Sequence, residues 1–313
     1  MSYIMTVTGK VAVDDIKMVD AHSHLVTFPD QKLLQDSKDL LLDDPAYLET
    51  DIQLFKELGG NTIVEMTTID YGRNLKLLKQ MSEKFGINII ACSGFNKGVY
   101  NRKFLENRSI EAVVSDLLKD INNPDIKPGV IKIGTSKNII YPYEEIGLRA
   151  IARAHLQTGI PISTHTQNGT MALEQVQMFY EEKVPYENII ICHLDQNPDI
   201  KLHRYLLQKG VFLSYDSIAK PKYHTRERAI DFIVIFAKEG LYHNILVGND
   251  FARRSNYLGY QGQPGYISVF KDFKQELKAK LLENNLPADK IIQAIYCDNP
   301  KKAFSFRNIN SKH

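Results

Sequence analysis

The chemistry of this chain starts with two histidines one residue apart. His22 and His24 lie in Met18-Val19-Asp20-Ala21-His22-Ser23-His24-Leu25, a stretch that reads as a strand, where alternate side chains share a face. Two imidazoles converging from one strand make half of a metal site. Other metal-competent residues follow at intervals: His165 in Ser-Thr-His-Thr, His193 in Cys-His-Leu-Asp, and Asp250 in Val-Gly-Asn-Asp. Each stands at the end of an apolar run. Four histidines and an aspartate so placed are hard to explain as five unrelated structural residues. Lys132, between Ile131 and Ile133, is an amine on a buried strand. Such an amine could form a Schiff base with a carbonyl substrate, or capture carbon dioxide as a carbamate whose two oxygens bridge two metals. The four histidines favour the carbamate. Asp195, two residues beyond His193, and Glu65 are expected to point inward as well, either orienting a ligand or serving as plain hydrogen-bond partners.

Positioning these residues requires a repeated element. Eight strand candidates rich in Ile and Val run from Met18 to Val26, Thr62 to Ile69, Ile87 to Phe95, Val130 to Ser136, Pro161 to Thr166, Asn188 to Asp195, Val211 to Ala219 and Asn244 to Asp250. Between them, segments such as Tyr47 to Leu58, Asn74 to Phe85, Ile110 to Ile121, Glu144 to Thr158 and Thr170 to Lys183 carry apolar residues at helical spacing. Gly59, Gly86, Gly159, Gly210 and Gly240 stand where left-handed helix caps are expected. This alternation predicts one α/β domain over residues 1–313, a single (β/α)8 TIM barrel with strands from about 18 to 250. An N-terminal β-hairpin turning at Thr8-Gly9 precedes it, and an extra C-terminal helix follows. The rival, an open doubly wound sheet, would place a glycine-rich phosphate turn after the first strand, where this chain has His22-Ser23-His24.

Composition narrows the function. The chain has 313 residues, 43% hydrophobic and 24% charged, with net charge +2, so no general field draws nucleic acid or an anionic membrane. No run approaches the ~20 apolar residues of a membrane span, and the start lacks the apolar core of a signal peptide. Cys92, Cys192 and Cys297 are read as reduced core thiols, Cys192 facing the helix layer, which makes a cytoplasmic setting the expectation. His155 and His203 in helices, His224 and His243 in connections, and His313 at the terminus are treated as bystanders. A homodimer is the ordinary expectation for such a chain.

The order of motifs resembles the phosphotriesterase-like branch of the amidohydrolase superfamily: HxH on strand one, lysine on strand four, histidines on strands five and six, aspartate on strand eight. The segment Val64-Glu65-Met66-Thr67-Thr68-Ile69-Asp70-Tyr71-Gly72-Arg73 and the late Asp298-Asn299-Pro300 extend the likeness over nearly the whole chain. The resemblance implies two divalent ions, usually zinc, with Mn, Co or Fe also compatible with such ligands. His22, His24 and Asp250 would hold one ion and His165 and His193 the other, with Lys132, carboxylated by CO2, bridging them. Asp250 would take the proton of a bridging hydroxide that attacks the substrate.

The substrate is read from the last two loops. Loop eight, Phe251 to Gly265, carries Arg253, Arg254, Tyr257 and Tyr260, and loop seven carries Lys220 and Lys222. Loops seven and eight of barrels often seat a phosphate, and Arg, Lys and Tyr are suited to grip one. The Lys-Pro-Lys-Tyr and Arg-Arg-Ser-x-Tyr stretches look most like family members acting on phosphorylated sugar lactones. On that resemblance Lys222, Arg254 and Tyr257 would bind the phosphate of a pentono-1,4-lactone 5-phosphate, with Lys220 and Arg253 as substitutes. The alternatives are an organophosphate triesterase or acyl-homoserine lactone hydrolase with the same metals, or a barrel that binds metal without catalysis.

Overall fold

The computed structural model describes residues 2–306, so His313 lies outside the described residues. A hairpin opens the chain, β1 (Tyr3–Thr6) pairing antiparallel with β2 (Gly9–Ala12), with Thr6 opposite Gly9. Eight parallel strands follow: β3 (Met18–Ser23), β4 (Gly60–Glu65), β5 (Asn88–Gly94), β6 (Val130–Thr135), β7 (Ile162–Thr166), β8 (Ile189–Cys192), β9 (Phe212–Tyr215) and β10 (Ile245–Val247). They neighbour one another in chain order, with helices between them. The seam between β10 and β3 is closed just beyond the strand ends, where Asp250 N donates to His22 O at 2.7 Å and His24 N to Phe251 O at 2.7 Å. The result is a nearly closed TIM barrel.

Ile and Val dominate these strands because both faces are covered. Ile63, Ile89, Ile131, Ile133, Ile162, Ile189 and Val247 pack outward under the helices, while Val19, Val64, Ile90, Val130, Ile190, Phe212 and Leu246 fill the barrel's interior. Ile4 of the hairpin and Ala303 and Phe304 near the C-terminus join this inner cluster. With the interior packed by apolar side chains, the polar residues collect at the strand C-termini. The five expected glycine caps all have positive φ.

The C-terminal region holds more than the single extra helix expected: beyond Lys274–Glu283 come Ala288–Gln293 and Asn299–Ala303. Two inward and outward assignments are also corrected. Cys192 belongs to the inner cluster and not to the helix layer. Glu65 alternates with Val64 and Met66, which are the inward pair, so it turns away from the interior. All three cysteines are free.

Candidate metal centre

The polar ring at the top of the barrel is assembled from strand ends. Lys132 follows inward-facing Val130 on β6, and although its residue is only 2% exposed, its Nζ lies 3.3 Å from His22 Nε2 and 3.4 Å from Met66 O. His22 Nε2 and His24 Nε2 stand 3.5 and 3.6 Å from Asp250 Oδ1. The His193 ring lies 4.9 Å from that of His22 and 4.4 Å from that of His165, centroid to centroid. All six sequence-predicted ligands therefore lie in one cluster. Two of them are turned in by the backbone: β8 stops at Cys192 and β10 at Val247, and His193 (φ 61°) and Asp250 (φ 45°) then take left-handed conformations. Non-glycine residues held there are concentrated at functional sites.

Asp216, directly after β9, was not anticipated from the sequence. It is fully buried and touches two ligand rings: Oδ1 accepts from His193 Nδ1 at 2.6 Å and from His193 N at 3.0 Å, and Oδ2 faces His22 Nδ1 at 3.0 Å. A second chain of bonds holds His24. Thr67 Oγ1 donates to Glu65 Oε1 at 2.5 Å, so Thr67 Oγ1 in turn accepts from His24 Nδ1 at 2.9 Å. Glu65 thus reaches the site through Thr67. With Nδ1 of His24 and His193 hydrogen-bonded and that of His22 3.0 Å from Asp216 Oδ2, a proton on each Nδ1 would leave Nε2 with its lone pair, which is the form a metal binds.

Electrostatics favour the neutral form of His22, His24 and His165. Burial, reinforced by the Lys132 charge, lowers His22 to about 3. Burial lowers His24 to about 4, and it holds His165 well below the usual imidazole range, with His193 adding to the effect. Burial works to raise Asp250, but Lys220 and His193 outweigh it and keep the carboxylate well below its ordinary value. Asp216 is likewise held low against burial by His193 and His22. Neutral His22, His24 and His165 and an ionised Asp250 at neutral pH form a nitrogen and oxygen set suited to Zn2+ or a similar divalent ion. The donor atoms of His22, His24 and Asp250 all lie within 4.8 Å of one another, and two imidazole lone pairs converge with a carboxylate oxygen there. A cation reconciles that convergence, so these residues fit the group.

Of the expected phosphate ligands, Lys222 lines a cavity between loops seven and eight, while Tyr257 and Arg254 engage other partners. Tyr257 is fully buried and its hydroxyl donates to His24 O at 2.6 Å, which makes it a strut beneath the first loop. Arg254 turns toward loop one, donating to Leu41 O at 2.7 Å and Asp43 Oδ1 at 2.7 Å. The two substitutes are better placed. Lys220, Lys222 and Arg253 line one cavity of about 350 Å³, and Lys220 Nζ also pairs with Asp250 Oδ2. Asp195, expected either to orient a ligand or to serve as a hydrogen-bond partner, accepts from Ser217 N at 2.8 Å and braces loop seven. Across the mouth, burial lowers half-buried Lys97 to about 8 while Asp250 acts in the opposite direction.

Comparison with known proteins decides the family. The phosphotriesterase family model matches residues 2–304. The chain belongs to the phosphotriesterase family. It is a metal-dependent hydrolase, of a family whose members work with two metal ions. A lactonase structure from Listeria monocytogenes superposes with a TM-score of 0.93 at 33% identity, covering 98% of this chain and 100% of that one. The phosphotriesterase homology protein from Escherichia coli, solved with phosphate in its active site, gives a TM-score of 0.85 at 26% identity over 92% of this chain and 99% of that chain. A phospho-furanose lactonase from Mycoplasmopsis synoviae is 28% identical over 97% of this chain and 92% of its own length. Among the described residues no helix is long and apolar enough to cross a membrane.

Proposed function

We propose that this member of the phosphotriesterase family hydrolyses a phosphorylated five-membered sugar lactone of the pentono-1,4-lactone 5-phosphate type. The observation that carries the reading is the cavity that Lys220, Lys222 and Arg253 line together, with Lys220 also paired to Asp250 of the candidate metal centre. A dianionic phosphate suits such a cluster. The names of the Mycoplasmopsis synoviae relative and of the Listeria neighbour favour the same chemistry.

In this reading His22, His24 and Asp250 would hold one divalent ion and His165 and His193 the other, with Lys132, carboxylated by CO2, as a further ligand and zinc as the expected metal. Bound ions of this kind acidify water and polarise a carbonyl. The chain's own residues do the rest. The cations of loops seven and eight fix the phosphate, which sets the lactone carbonyl over the histidine cluster. Asp250, kept ionised by Lys220 and His193, takes a proton from the attacking water and passes it to the ring oxygen as the ring C–O bond breaks. One water is consumed, and a carboxylate, a hydroxyl and one released proton result. Asp216 and Thr67 hold the imidazoles in register throughout.

The test is a pH-indicator assay of zinc-loaded protein on pentono-1,4-lactones with and without the 5-phosphate, alongside a dialkyl aryl phosphate and an acyl-homoserine lactone. Preference for the phosphorylated lactone by ~100-fold or more in kcat/KM is expected from a gripped phosphate. Equal rates on the two sugar lactones, or faster turnover of the triester or acyl lactone, would overturn the reading.

A further inference from the structure

Lys97 stands apart from the other cations of the rim in how it is mounted. It follows β5, the third strand of the barrel, whereas Lys220 and Lys222 follow the seventh, four places round an eight-membered ring and so directly across the mouth. The backbone on either side of it is clamped by two buried carboxylates. Asn96 N donates to both oxygens of Asp70 at 2.9 Å, and Gly98 N donates to Glu144 Oε1 at 2.8 Å. Gly134 N on β6 donates to Asn96 O at 3.2 Å, fixing the segment to the barrel itself. The stem of Lys97 lies over Gly134, where a Cβ would come within 2.8 Å of Lys97 Cβ and 3.0 Å of His165 Cβ. The glycine makes room for a lysine beside a ligand histidine.

The ammonium itself is left free. Among the described residues no hydrogen bond or ion pair engages Lys97 Nζ, although the charges of Asp250, Lys132 and Lys220 all act on it. A rigidly held, half-buried cation facing the reaction centre without a protein partner is a donor kept for substrate. The ring of a 1,4-lactone says which substrate atom it meets. The phosphate-bearing C5 is attached to C4, on the ring-oxygen side of the carbonyl, and C2 lies on the other side. With the phosphate on loops seven and eight and the carbonyl over the histidines, the C2 substituent is directed at the opposite wall.

We propose that Lys97 is a specificity residue whose ammonium donates a hydrogen bond to the C2 hydroxyl of the lactone. It rests on the phosphorylated-lactone reading above. The enzyme therefore selects 2-hydroxy lactones over their 2-deoxy counterparts, and it does so independently of the phosphate grip.

The experiment compares a pentono-1,4-lactone 5-phosphate with its 2-deoxy analogue, using zinc-loaded wild type, Lys97→Met and Lys97→Arg. Loss of a charged hydrogen bond predicts a fall of ~10–100-fold in kcat/KM for Lys97→Met on the hydroxylated substrate, against about 3-fold or less on the 2-deoxy one. Lys97→Arg recovers part of the discrimination, and the preference for phosphorylated over unphosphorylated lactone is unchanged. Direct binding of the two ring-opened acids, followed by titration calorimetry, shows the same difference between wild type and Lys97→Met. Thermal midpoints and zinc content accompany each variant, and Lys97→Gln replaces Lys97→Met if the latter does not fold. An equal fall on both substrates, or no fall, overturns the assignment of Lys97 while leaving the lactonase reading intact. Absence of wild-type turnover on both phosphorylated lactones overturns that reading and the assignment with it.

Discussion

Asp216→Asn isolates the residue on which the histidine geometry depends. The amide has nearly the volume of the carboxylate, so packing is preserved and the hydrogen-bond pattern alone changes. Its oxygen can still accept from His193 Nδ1 and N, as Asp216 Oδ1 does at 2.6 and 3.0 Å. Its NH2 then takes the position of Oδ2, 3.0 Å from His22 Nδ1. Two donors cannot face each other there. His22 must shift its proton from Nδ1 to Nε2, the nitrogen aimed at Asp250, and so loses the lone pair a metal needs. Losing a hydrogen bond to a charged group costs ~1.5–3 kcal/mol, and outer partners of ligand histidines typically carry 10–100-fold in metal affinity. Competition against a chromophoric zinc chelator is expected to show a loss in that range, with activity partly restored by excess zinc. Imidazole 15N shifts should report the tautomer change at His22 directly. Zinc affinity within about 3-fold of wild type, with His22 still protonated at Nδ1, would refute the argument, because 10-fold is the lower end of such effects.

Four further outcomes follow from the same geometry. Asp250→Asn should retain much of the bound metal through the four histidines but lose turnover by ~100-fold or more as the proton acceptor disappears; near-normal rates would remove Asp250 from the proton path. Arg253→Met should raise KM for the phosphorylated lactone by ~10-fold or more and leave the unphosphorylated one unaffected, while Arg254→Met should act mainly on stability, since its guanidinium is spent on Leu41 O and Asp43. Reconstitution of metal-free protein with zinc should be more complete with bicarbonate than in CO2-depleted buffer, and Lys132→Met should abolish the difference, as a carbamate requires both the amine and CO2. Burial raises Glu65 from 4.5 to about 7, so the folded protein holds a proton there that the unfolded chain has lost, and stability falls as pH rises through that window. Glu65→Gln cannot ionise, so urea midpoints at pH 5 and pH 8.5 should shift in the variant's favour at the higher pH, by roughly 3 kcal/mol at most.

The ligands were legible because their types are scarce and because strand ends can be counted. His165, His193 and Asp250 close apolar runs, His22, His24 and Lys132 stand out as polar residues within or beside them, and the barrel brings all six to one rim. Asp216 closes β9 in the same way, but the seventh run was read through to Ala219, which buried the aspartate in mid-strand and hid its position at the rim. A strand of four residues, the length of β8 and β9, would have exposed it. The adjacent arginines of loop eight diverge for a reason that no strand count reveals. Arg253 is extended (φ −144°, ψ 147°) and Arg254 opens a 3-10 turn, so neighbours of identical type take different partners: Arg253 lines the cavity beside Lys220 while holding Ser37 and Asp39 at 3.4 Å, and Arg254 is committed to Leu41 and Asp43. That choice is made by Asp43 and Leu41, some two hundred residues earlier, and no local pattern records it.

Parity fails at the same places where chemistry begins. Alternation along a strand puts every second residue inside, and it correctly groups Val130 with Lys132 and Val64 with Met66. It misplaces Cys192, because the positive φ of His193 ends the alternation and lets two consecutive residues, Cys192 and His193, both reach the interior side. Asp250 uses the same device after β10. A regular strand offers one inward side chain per two residues, too sparse to surround an ion from a single strand end. Left-handed turns at His193 and Asp250 and the adjoining Asp216 supply the extra inward groups. The misplaced Cys192 and the missed Asp216 both lie where the chain leaves strand geometry to complete the candidate metal centre.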